Sequence, residues 1–297
     1  MYSTPLLFTS LGGVMSENSG VVNIGLEGMM TFGAFAAATA GYFTGNPWLG
    51  FMAGGMAAGF LGLLHAIACV TFAANQVVSG IAINFLGPGM ALFLSRKFFD
   101  GATMTYNLPI EMKMPKYFNN ILPEGTFLRQ VFNQDVSVYL AFLLVFVIWF
   151  LLYRTKTGLR IRAVGEYPEA AETLGVSVSK VRYLCVILSG VFAGFGGASM
   201  SLAVASNFFQ TLISGQGFIA LAAMIFGKWK PHGAMAACLI FGGAQAMTIF
   251  IGGTSLRVPQ EFLSMAPYIL TLVILMGFVG KAVAPAADGV PYTKDES

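Results

Sequence analysis

Charged residues divide this chain into long apolar blocks. No Asp, Glu, Lys or Arg lies between Glu27 and Arg96, or within 136–153, 183–227, 231–256 and 262–280. A helix needs about 20 apolar residues to cross the hydrocarbon core of a bilayer. A charge at its centre costs about 2.5–3.5 kcal/mol on insertion scales. The first block is long enough for three passes, and the turn signals Thr44-Gly-Asn-Pro-Trp48 and Ala73-Ala-Asn-Gln76 divide it. The pattern predicts helices near 29–44, 49–72, 77–95, 136–153, 183–205, 232–252 and 262–280, with a shorter segment near 216–228. That makes eight candidate spans beside an apolar N-terminal piece near 4–15. The expected fold is all-α: a polytopic integral membrane protein with a membrane domain over 1–281. The polar, Pro-containing tail over 282–297 reads as disordered.

Composition agrees. Hydrophobic residues make up 56% of the chain and charged residues 10%, against about 25% charged in a soluble protein. The formal charge of +3 is too small to point to nucleic acid. Cys69, Cys185 and Cys238 each sit in an apolar run, which suits small packing residues better than a disulfide framework. The first residues lack the basic start of a signal peptide and read as part of the membrane domain. Arg154, Lys156, Arg160, Arg162, Lys180 and Arg182 make 154–182 the most basic loop, so it is expected on the cytoplasmic side. Counting passes then places Lys228, Lys230 and Lys281 inside and the long loop 96–135 outside. The piece 4–27 either crosses or turns back.

Two segments interrupt the pattern. Glu17, Asn18, Asn23 and Glu27 stand among apolar residues and glycines near the N-terminus. Ser206-Asn-Phe-Phe-Gln210 precedes an apolar stretch, 217–227, that reaches only about 17 Å at 1.5 Å per residue. Paired, Gly-interrupted segments in the two halves of a transporter often build its substrate site; both can equally be re-entrant packing elements. Glu27 is either a functional ionisable group at membrane depth or a helix cap. Asn75, Gln76, Ser79 and Asn84 form a second polar cluster, in which Gln76, Ser79 and Gly80 share one helical face by their i, i+3, i+4 spacing. These side chains can face a path or bond neighbouring helices. The candidate path is thus Asn23, Glu27, Gln76, Ser79, Asn84, Asn207, Gln210 and Gln216. These groups suit a neutral, hydrogen-bonding solute. His65 has no second histidine or carboxylate near it in sequence, so no metal site is expected, and no phosphate loop or catalytic motif is present.

The basic loop contains Glu169-Ala-Ala-Glu-Thr-Leu-Gly175, read as a short surface helix over 169–174 that Gly175 ends. Such a helix between two membrane helices can plug into a groove on a soluble partner. The pattern resembles the coupling-helix motif of ABC importer permeases. The longer string AVGEYPEAAETLGVSVSKVRY, 163–183, is similar to the permease family of ribose and branched-chain amino-acid importers. GVVNIGLEGMMTFGAF at 20–35, NQVVSGIAINFL at 75–86 and SGQGFIALAAMIFGKWKPHGA at 214–234 resemble its nucleoside-importer branch, the shorter permease in particular. The Leu-Pro that follows the motif in other permeases is absent here.

The resemblance implies a permease subunit without enzymatic activity or a cofactor of its own, in a bacterial cytoplasmic membrane. ATP and Mg belong to a partner ATP-binding subunit, which docks at Glu166, Glu169, Ala170, Ala171 and Gly175. A second, related permease and an extracytoplasmic solute-binding protein complete the implied importer, and its implied substrate is a nucleoside. Riboflavin or a sugar are the nearest substrate rivals. An ion-coupled secondary transporter is the rival of another class, and it would need an acidic relay that only Glu17 and Glu27 can supply.

Overall fold

A computed structural model describes residues 1–116, 129, 132–252, 265, 269 and 282–293. Every regular element among them is helical. In chain order these are α1 (Ser3–Glu17), α2 (Leu26–Thr44), α3 (Pro47–Ala66) extended by the π turn Ile67–Thr71, and α4 (Gln76–Phe98). Then come α5 (Val136–Arg154), the short α6 (Lys156–Glu166) and α7 (Pro168–Thr173), and α8 (Val178–Ser199) extended by the π turn Met200–Ala205. The last are α9 (Gln216–Phe226) and α10 (Pro231–Gly252).

The turn signals act as read. Asn46 caps α3: its Oδ1 accepts from the Trp48 N–H at 2.9 Å, with Pro47 in the first turn. Asn75 does the same for α4, accepting from Val77 and Val78 at 3.0 and 3.1 Å.

Among the described residues, 5 helices are long and apolar enough to cross a membrane: Pro47–Thr71, Gln76–Phe98, Val136–Arg154, Val178–Ala205 and Pro231–Gly252. The expected eight are not reproduced. The span near 262–280 lies outside the described residues, and the segment near 216–228 is a helix of 11 residues. The helix expected near 29–44 forms as α2, but it is an interior helix, largely buried by its neighbours. Residues Thr4 to Glu17 of α1 are all buried too. Helices sheathed by other helices meet side chains rather than lipid, so they carry Thr9, Ser10, Ser16 and Glu17 without the penalty a lipid-facing helix would incur.

The core is the packing of α2, α3 and α8, with α1 against α8. Small residues let these backbones approach: a Cβ on Gly33 would stand 2.5 Å from the Gly194 Cα. Beside this seam Phe51 stacks on Phe195, ring centroids 4.5 Å apart, with Phe8 edge-on to Phe51 at 5.8 Å.

One end of the bundle collects the basic residues. Tyr153, Arg162, Glu166, Lys228, Lys230 and Pro285 line a single cavity there. At the opposite end, 99–116 folds back over the end of α8. Thr105 N–H donates to the Phe208 carbonyl at 2.9 Å and Leu108 N–H to that of Ser206 at 2.7 Å.

The tail corrects the expectation of disorder. Residues 282–293 run along the basic end, where Ala287 is buried and its N–H donates to the Gly165 carbonyl at 2.9 Å. Composition marked this segment as polar, but buried Arg182 on α8 offers it a partner: Nη1 donates to the Val290 carbonyl at 3.0 Å.

Candidate functional site

The first break lies between α1 and α2. Side chains there replace the lost helical hydrogen bonds. Asn18 Nδ2 donates to the Val14 carbonyl at 2.7 Å, Ser19 Oγ to that of Ser16 at 2.6 Å, and Ser16 Oγ to that of Val21 at 2.6 Å. Beyond Gly20, at φ +84, the chain runs unwound to Gly25.

Three neighbouring helices hold this unwound stretch. Gln76 Oε1 accepts from the Val22 N–H at 2.6 Å. His65 Nε2 lies 3.0 Å from the Val22 carbonyl oxygen, and its Nδ1 lies 2.8 Å from Ser79 Oγ. A carbonyl only accepts, so Nε2 carries a proton, and in the neutral ring Nδ1 accepts from the Ser79 hydroxyl. Asn84 Oδ1 accepts from Gly28 N–H at 2.8 Å while its Nδ2 donates to the Ile24 carbonyl at 2.9 Å. Asn23 Nδ2 donates to Ser189 Oγ on α8 at 2.9 Å. Two buried atoms, Asn23 Oδ1 and Gln76 Nε2, have no hydrogen-bond partner among the described residues.

The second break spans 206–215, with Ser206, Ser214 and Gly215 all at positive φ. It delivers α9 end-on to Glu27. Glu27 Oε1 accepts from the Gly215 N–H at 2.7 Å and Oε2 from the Gly217 N–H at 2.6 Å. A carboxylate at a helix N-terminus satisfies orphan donors and complements the helix dipole. The helix start that Glu27 serves is that of α9, not that of α2, the helix that carries it. A Cβ on Gly217 would lie 2.5 Å from the Glu27 Cα, so only glycine lets the two segments meet this closely. Beside this junction Gln245 Nε2 donates to Gln216 Oε1 at 3.0 Å.

Asn23, Glu27, Gln76, Ser79, Asn84 and Gln216 thus fall on one connected polar patch. Asn207 and Gln210 lie apart, beside the bridge between Met104 and Phe209 near the end opposite the basic one. Sequence reasoning missed His65, Ser189 and Gln245. Each is a polar group in an apolar helix, a signal that existed but named no partner.

At the basic end, α6 and α7 form the loop expected to carry a single helix over 169–174. Gly175, at φ +80, ends α7: its N–H donates to the Glu172 carbonyl at 2.8 Å and the Val176 N–H to that of Ala171 at 3.0 Å. This pair is the Schellman stop that favours glycine. Glu166, Glu169, Ala170 and Gly175 are exposed, but Ala171 faces inward against Val164 and Val178. Three apolar side chains of this loop stand exposed: Leu159 on α6, Tyr167 before α7 at 69% and Leu174 after it at 84%.

Two broken segments joined inside a bundle of long apolar helices are the arrangement of a membrane transport component. No solved structure matches the chain significantly. The chain belongs to the family described as branched-chain amino acid transport system / permease component, matched over residues 1–276. It is 46% identical to the guanosine ABC transporter permease protein NupQ of Bacillus subtilis (strain 168), covering 99% of this chain and 94% of that protein. It is 43% identical to the nucleoside ABC transporter permease protein NupC of Lactococcus lactis subsp. cremoris, covering 100% of this chain and 95% of that one. A more distant relative is a second Bacillus subtilis guanosine ABC transporter permease protein, NupP, at 26% identity over 93% of this chain and 79% of NupP. The chain is therefore a permease subunit of an ABC importer, a multi-pass protein of the bacterial plasma membrane and a transport component rather than an enzyme.

Proposed function

We propose that this permease carries nucleosides into the cell. The observation that carries the reading is the likeness over nearly the full length to two relatives whose names specify guanosine and nucleosides. The chemistry of the patch supports it. Amides, hydroxyls and the unpartnered Asn23 Oδ1 and Gln76 Nε2 offer hydrogen bonds to a neutral solute. No Lys or Arg stands in the charge-free blocks to pair with a phosphate, and a charge without a counter-charge in such a setting is costly.

In this reading the basic end faces the cytoplasm, in keeping with the basic residues gathered there. An ATP-binding partner, which holds ATP and Mg, docks against α7 through Glu166, Glu169, Ala170, Gly175 and the exposed Tyr167 and Leu174. Ala171, turned inward, positions α7 rather than touching the partner. A second permease pairs with this one; two guanosine permease proteins named in one organism support that pairing. An extracytoplasmic binding protein delivers substrate to the opposite end. Movement of α7 changes the junction of the broken segments, and access alternates.

The test is uptake of radiolabelled guanosine by cells carrying the complete importer. Excess unlabelled nucleosides are expected to compete and excess ribose to compete poorly. Uptake blocked by ribose or riboflavin but indifferent to every nucleoside would overturn the substrate assignment.

A further inference from the structure

We propose that residues 282–293 form a strap that ties the docking helix α7 to the end of α1, carrying movement of α7 to the broken segments. The inference rests on the docking role proposed for α7.

Arg182, at the start of α8, is 1% exposed. A buried guanidinium needs partners, because removing them leaves an uncompensated charge. The strap supplies the Val290 carbonyl at 3.0 Å, the nearby Asp288 carboxyl and the Tyr292 ring, whose centroid lies 6.0 Å from the guanidinium carbon, while Nε and Nη2 have no hydrogen-bond partner among the described residues. The strap is thus part of the bundle's charge balance.

It also reaches in two directions. On one side the Tyr292 hydroxyl donates to Glu172 Oε2 on α7, and Ala287 N–H donates to the Gly165 carbonyl at the end of α6. On the other, the Asp288 carboxyl stands close to that of Glu17, the last residue of α1. Glu17 Oε2 in turn accepts from Trp229 Nε1 at 2.6 Å, and Asn18 Nδ2 donates to the Trp229 carbonyl at 3.1 Å. The path therefore runs from α7 through Tyr292 and Asp288 to the start of the first break and to the turn that follows α9. Glycine at 165 and 20 keeps it short: a Cβ at Gly165 would strike the Asn18 carbonyl oxygen, and one at Gly20 would crowd the Ala287 carbonyl.

The experiment uses the complete importer in proteoliposomes, with nucleoside uptake and ATP hydrolysis measured on the same vesicles. Tyr292→Phe removes one hydroxyl and keeps the ring beside Arg182, so folding is spared. Asp288→Asn tests the other side. Each is expected to lower uptake per ATP hydrolysed by about fivefold or more, the low end of typical coupling between sites, with the ATPase still bound and hydrolysing. Uptake per ATP within about twofold of the parent in both variants would overturn the strap. Parallel loss of hydrolysis and uptake with the ATPase released would also overturn it, by making the tail a docking element. Glu169→Lys in parallel tests the docking role itself: retention of the ATPase by that variant refutes the reading of α7 and leaves the two strap measurements to be judged separately.

Discussion

Removing the Glu27 carboxylate cuts the one side chain that accepts hydrogen bonds from the start of α9 while sitting on α2. In Glu27→Ala the N–H groups of Gly215 and Gly217 lose acceptors at 2.7 and 2.6 Å. Hydrogen bonds to a charged group contribute about 1.5–3 kcal/mol each. Glu27 is only partly buried, so the low end applies, about 3 kcal/mol for the pair. At about 1.4 kcal/mol per tenfold, local opening of the α9 start rises on the order of 100-fold. Glu27→Gln keeps one acceptor but aims an NH2 at the other N–H, so it loses about half of that. Hydrogen–deuterium exchange over 214–219, in protein held in lipid nanodiscs, reads the effect directly. Nucleoside uptake is expected to fall in the same order, Ala below Gln below the parent. If exchange over 214–219 is unchanged in Glu27→Ala while the KM for uptake rises, Glu27 touches substrate and the argument for a structural tie between the two breaks fails.

Further outcomes are expected elsewhere. Gly175→Trp forces a side chain into φ +80, a conformation costing about 1–2 kcal/mol for residues other than glycine; uptake should be lost while membrane insertion persists, and normal transport would demote α7 to a plain connection. A single cysteine replacing Leu174 should react with an impermeant thiol reagent only after cells are opened, and one replacing Thr126, which lies outside the described residues, should react in intact cells; labelling of position 174 from outside reverses the orientation. Burial pushes the Asp288 carboxyl up to about 7, with the neighbouring Glu17 carboxyl and the Arg182 charge opposing the rise. A carboxyl raised above its free value holds its proton more tightly in the seated strap than in the released one. The proton's contribution to seating is thus full below the free carboxylate range and lost as pH rises through about 7. Exchange over 286–292, corrected for intrinsic rates, should be faster at pH 8 than at pH 6, and Asp288→Asn should reduce the difference, the remainder belonging to its neighbour Glu17; slower exchange at pH 8 contradicts the sign.

Local sequence alone determined where several of the long apolar helices begin and end. The charge-free block 136–153 became Val136–Arg154, the block near 232–252 became Pro231–Gly252, and the predicted stop at Gly175 is the Schellman turn of α7. These outcomes follow from partition of apolar residues and from capping, both of which act within a few neighbours along the chain. Which polar residues belong to one site was decided only by tertiary packing. Glu27 meets Gly215 188 positions away, and Arg182 meets Val290 across 108. Hydropathy marks such residues as costly in an apolar setting but carries no distance between them. Their partners are chosen when small residues such as Gly33 and Gly194 let helices close up, and a buried polar group must then bond to whatever the packing brings within about 3 Å. For the same reason the tail reads as disordered by composition while residues 282–293 are held in the fold, where Val290 accepts from buried Arg182, Ala287 donates to Gly165 and Tyr292 donates to Glu172.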